Sequence, residues 1–184
     1  ALDLVFERLR RRIGDPRPLV GLYACETCET SLPYARAVDG AAIAELAVAW
    51  ADHGTVNTRL MAWRVLLALL HWPAADAEVL ATVRAAAARL VRAHAGGTLV
   101  SERFLLHRMA ATCGLDDPAA AAGGALLRAG EPVQDVMLRN LKSRVGWVEK
   151  KVNCDFLVAA VQERRNDEPE PGSYFANEVV NHLA

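Results

Sequence analysis

Aromatic residues make up only 6% of this 184-residue chain, although hydrophobic residues reach 53%. The apolar content is therefore mostly Ala, Leu and Val, while the β-formers Tyr, Phe, Trp, Thr and Ile are sparse. That mixture works against sheets and favours closely packed helices, because Ala is the best helix former. Charge of one sign is missing too: the formal net charge is -1. No global field draws the chain to nucleic acid, to a membrane or to an acidic substrate. The longest apolar run, Leu60 to Leu70, is shorter than the roughly 20 residues a bilayer span requires. Four cysteines in a chain of this size, with no signal-peptide pattern at the start, do not make a disulfide scaffold. A reduced, cytoplasmic setting is the expectation. Phosphate-binding glycine loops, His-Glu-x-x-His, Gly-x-Ser-x-Gly and calcium-loop spacings are all missing, so none of those chemistries has a basis here.

What is present reads as all-α: a compact multi-helix bundle or a short stack of helical hairpins, in one helical domain over 1–184. Its centre is the stretch Thr58 to Pro73. Between Leu60 and Leu70 almost every position is apolar, the pattern of a helix surrounded by other helices. Arg64 is the exception, and its charge must reach the rim or find a partner. Before this helix, Leu2, Val5, Phe6, Leu9 and Ile13 form an amphipathic stripe ended by Gly14-Asp15-Pro16. Asp39 is placed as the N-cap of a helix carrying Ile43, Leu46, Ala47 and Trp50, which His53-Gly54 ends. Later starts fall at Asp76, Ser101 and Asp117-Pro118, with a further helix from Glu131-Pro132. Asp39, Asp76 and Asp117 recur at intervals like those of stacked helical hairpins, without a shared consensus. A polar loop is expected over 14–38 and a charged linker over 163–172, before a last helix capped by Ser173.

The sharpest chemical signal is Cys25-x-x-Cys28, whose spacing brings two thiols to one point, as a metal site or a redox pair requires. Zinc would need about two further ligands, and no second paired spacing supplies them, so zinc is considered and not favoured. Around the pair, Glu26, Glu29, Thr27, Thr30 and Ser31 are polar, while Leu22, Tyr23, Leu32 and Tyr34 would anchor the loop over the bundle. Such an anchored loop is where a ligand mouth would form, with Tyr23, Glu26, Thr30, Trp63, Arg64 and His94 as its binding side chains. The plainer reading of Thr30 and Ser31 is helix capping.

Two function classes follow. The leading one is a binding or interaction protein presenting an apolar groove to a small ligand, a peptide or a second subunit, a homodimer included. The alternative is a small helical enzyme in which Cys25 or Cys28 is nucleophile or metal ligand. Glu29 or Glu26 would be its acid or base, and His71 or His94 its partner. The basic residues Arg139, Lys142, Arg144, Lys150 and Lys151, with Trp147 among them, read as a solvated face. Nucleic acid is not expected as a partner, since no recognition motif or net positive charge accompanies them.

Overall fold

A computed structural model describes residues 2–94, 96–97 and 99–116, together with 148, 150–152, 154–156 and 158–159. Among these the protein is an all-α bundle. Its helices are α1 (Leu2–Arg10), α2 (Pro18–Ser31), α3 (Gly40–Trp50), α4 (Val56–Leu70), α5 (Ala77–His94) and α6 (Val100–Cys113). The described residues of 148–159 are helical as well. No described helix is long and apolar enough to cross a membrane. The sequence expectations for Asp117, the Glu131 helix, Arg139 to Trp147, the 163–172 linker and the Ser173 helix lie outside the described residues.

The apolar run does become the centre. Leu60, Met61, Ala62, Trp63, Val65, Leu66 and Leu69 of α4 are all fully buried. The indole Nε1 of Trp63 donates to the carbonyl of Ala51 at 2.9 Å, tying α4 to the end of α3. Burying a polar group is tolerable when it is hydrogen-bonded in this way. The helix is not enclosed all round, however. Arg64 and Leu67 are only half-buried and face the 148–159 segment and its surroundings.

α2 corrects the polar loop expected over 14–38. Gly, Cys, Thr and Ser are poor helix formers, and the prolines at 16, 18 and 33 read as breakers. Pro18 instead occupies the first turn, where its missing N–H costs nothing. The hydroxyls of Thr27, Thr30 and Ser31 donate back to the carbonyls of Tyr23, Glu26 and Thr27, so they are satisfied inside the helix rather than at its caps. Leu22, Cys25 and Cys28 turn inward, and their burial outweighs the weak propensity. Gly21 lets the helix press on the core: a Cβ there would meet the Trp50 ring at 2.5 Å and the Thr58 methyl at 2.9 Å.

Only some of the helix ends follow the capping chemistry the sequence offers. Asp76 caps α5, its Oδ1 accepting from the Val79 N–H at 2.8 Å, and Gly114 ends α6 in the left-handed region at φ 64°. Asp39 precedes α3 but its carboxylate accepts from the Arg36 backbone N–H at 2.8 Å instead of capping α3. Ser101 lies inside α6, whose N-cap position is Leu99. Gly40 packs on Trp72 and Val79 at one end, and Asp52 pairs with Arg89 at the other. α3 and α5 therefore run parallel, with α4 returning between them through short connections. The described 148–159 residues close another side: Val148, Val152 and Phe156 form a fully buried stripe, and Phe156 meets Phe104 edge-on at 5.5 Å between centroids.

Candidate functional site

The predicted site residues do not come together in one place. Glu26, Glu29 and Arg64 come together where α2, α4 and the 148–159 segment meet. The Arg64 guanidinium donates to Glu29 from Nη2 at 2.7 Å and from Nε at 3.0 Å, and from Nη1 to Asp155. Lys151 reaches Glu29 at 3.4 Å and Glu26 at 3.9 Å. Burial pushes the Asp155 carboxyl up from its ordinary range, opposed chiefly by the Arg64 guanidinium. The cluster alternates in sign and clamps three helices, which is the partner Arg64 required.

Beneath it lie Cys25 and Cys28, 1% and 0% exposed. Burial pushes the Cys28 thiol up to about 12, and Cys25 further still, with Cys28 and Glu29 adding repulsion. A nucleophile or metal ligand needs a thiolate, and this setting disfavours one. Among the described residues no group of three or more His, Cys, Asp and Glu side chains gathers as a metal ion would require. Iodoacetamide is expected to label Cys25 and Cys28 in the native protein roughly tenfold or more slowly than Cys113 and Cys154, which are half-buried. Peptide-resolved mass spectrometry checks the order, and rapid labelling of either α2 thiol would restore the catalytic reading.

The remaining predicted residues are elsewhere. Trp63 packs against the His94 ring at 5.1 Å, and His94 Nε2 lies 3.7 Å from Asp52. His71 faces Thr112, 3.4 Å between Nε2 and Oγ1. Tyr23 is 54% exposed on the outside of α2, and Thr30 is turned to the backbone of its own helix. Thus no described contact joins the thiols to an imidazole.

Grooves open on the described surface, three of them bounded by these helices. One, about 390 Å³, lies where α2, α4 and the residue before α6 begin, along Leu19, Val56, Asn57 and Leu99. A second, about 250 Å³, runs beside the charged cluster between Leu67, Phe104, Arg108 and Val158. The third, about 420 Å³, lies between α3 and α5, lined by Ala41, Ala44, Val48, Ala49, Val79 and Thr82, with Glu45 and Glu78 also in its wall. Its floor is almost wholly apolar and its side chains are small.

Comparison with protein-family models, curated proteins and solved structures finds no match to this chain.

Sequence inspection missed the α3–α5 groove. Ala41, Glu45 and Val48 recur at helical spacing, as do Glu78 and Thr82, yet only the parallel placement of two helices separated by α4 in the chain makes them one surface. Asp155 was missed for the same reason, its partner Arg64 being remote in sequence, and Lys151, read as part of a solvated basic face, instead reaches Glu29 and Glu26.

Proposed function

We propose that the chain is a binding protein that holds an amphipathic helical segment in the groove between α3 and α5. The observation that carries this is the groove's lining: Ala41 and Ala49 are exposed, Val48 half-exposed, and nothing larger than Val fills the floor. Small side chains allow a visiting helix to approach closely, and the displaced water supplies the driving force. Such helix-in-groove recognition reads an amphipathic partner through anchors one turn apart. A cytoplasmic setting goes with this reading, since the four cysteines are free thiols. The enzyme alternative gains no comparable support, because its nucleophiles are buried and held as thiols.

A synthetic amphipathic helix of Ala, Leu and Lys, labelled for fluorescence anisotropy, is the probe. Ala49→Arg places a long charged side chain over the floor of the groove and is expected to weaken probe binding about tenfold or more, equivalent to roughly 1.4 kcal/mol. The melting temperature should change little, because Ala49 is exposed. Unaltered affinity in that variant would remove the groove from the function.

A further inference from the structure

We infer that the groove's occupant is α5 of a second copy of this chain, laid antiparallel across a two-fold axis that passes beside Ala85. This rests on reading the groove as a helix-binding face and names what fills it. Along α5, Glu78, Thr82, Ala85, Arg89 and Arg92 succeed one another at alternating steps of four and three residues, and all are exposed. That spacing puts them on one face, as at the seam of a pair of helices.

The stripe is self-complementary only in one direction. It begins with an acid, has its smallest side chain in the middle and ends with two bases. Glu78 and Arg92 stand equally far from Ala85, about 10 Å along the axis to either side. An antiparallel copy pivoting at Ala85 sets each Glu78 against the other copy's Arg92, twice over. The arginine-bearing half of that α5 then lies over the groove beside the carboxylate of Glu78 in its wall, Glu45 on the other side being held by Arg10 at 2.6 Å. At the pivot Ala85 faces itself, so the two helices can approach to the short end of the usual 8–10 Å range. Parallel pairing would instead put Glu78 on Glu78 and Arg92 on Arg92, like charge on like.

The charges are available for this. Among the described residues neither Glu78 nor Arg92 has an ion-pair partner within its own chain. Arg89 is held by Asp52, both about half-exposed, and marks the end of the apolar floor. A two-fold contact of this kind uses the same patch on both copies and closes on itself, giving a dimer and not a filament.

Sedimentation equilibrium of the full chain tests the arrangement. The native sequence is expected to dimerise, and Glu78→Arg and Arg92→Glu should each weaken the dimer about tenfold or more. Each alone puts like charges at the two facing positions, one variant carrying only cations at 78 and 92 and the other only carboxylates. Mixed in equal amounts, the two should therefore form a heterodimer, a rescue that an effect on folding would not produce. Placing both substitutions in one chain should restore the homodimer, with circular dichroism confirming that every variant is folded. A native chain that stays monomeric, a dimer indifferent to both substitutions, or a mixture that stays monomeric would overturn the inference. If the native chain is monomeric but still binds the amphipathic probe in a manner blocked by Ala49→Arg, the groove reading stands and only its occupant is wrong.

Discussion

Glu102→Ala is expected to destabilise the protein by about 3–5 kcal/mol, which for a chain of this size lowers the melting temperature by on the order of 10 °C. Glu102 is buried in the first turn of α6, and its side chain accepts from Arg59 of α4 through both Nε, at 2.8 Å, and Nη2. The pair is nearly dry, with 7% of the glutamate side chain and 16% of the arginine exposed. Removing one member leaves the other charged in a place that water scarcely reaches. The carboxylate also sits at the positive end of α6, so its loss takes away a favourable interaction with the helix dipole. Replacing both together, Arg59→Met with Glu102→Leu, should recover most of the loss, because the desolvation of two charges then disappears along with their attraction. Thermal and urea denaturation measure all three variants. Equal destabilisation in the double variant and in Glu102→Ala would show that the contact matters through shape and not through charge.

Trp63→Ala should be similarly severe, costing about 3–5 kcal/mol. Trp63 is fully buried at the centre of α4, and its removal opens a cavity where Ala51, His94 and Arg59 converge. It also leaves the Ala51 carbonyl without its indole donor. Trp63→Phe keeps much of the volume and loses the hydrogen bond, so the difference between the two variants separates packing from polarity. The two predictions are coupled. The Arg59 guanidinium lies 6.0 Å from the centre of the Trp63 ring, near enough for the cation to gain from the aromatic face. A double-mutant cycle between positions 63 and 102 should therefore depart from additivity by about 0.5 kcal/mol or more. Denaturant midpoints with unchanged slopes would attribute the losses to the native state.

Much of this fold was legible along the chain because its determinants are local. The apolar saturation of Leu60 to Leu70 reports burial directly, and the acid at Asp76 and the glycine at Gly114 terminate helices through contacts within a few residues. α2 was illegible as a helix because its propensity and its packing disagree. Counting Cys25 and Cys28 as hydrophobes in series with Leu22 and Leu32 reveals the inward stripe. Counting them as reactive groups conceals it. The charged cluster was half legible: Glu29 and Arg64 were each suspect residues, but Lys151 and Asp155 reach them only through the folded chain.

The groove lay beyond sequence reading for a different reason. Alanines on an exposed helix face carry no signal of their own, and a surface shared by α3 and α5 has no linear motif. Only the parallel course of those two helices turns Ala41, Val48, Ala49 and Thr82 into a floor with Glu45 and Glu78 beside it.

The measurement that bears most directly on this account is backbone amide NMR of the native protein titrated with the amphipathic probe. Shifts concentrated on Ala41, Ala44, Val48, Ala49, Val79 and Thr82 are the predicted result. Shifts centred on Leu67, Phe104 and Arg108, or on Leu19, Val56 and Leu99, with the α3–α5 groove silent, would contradict it.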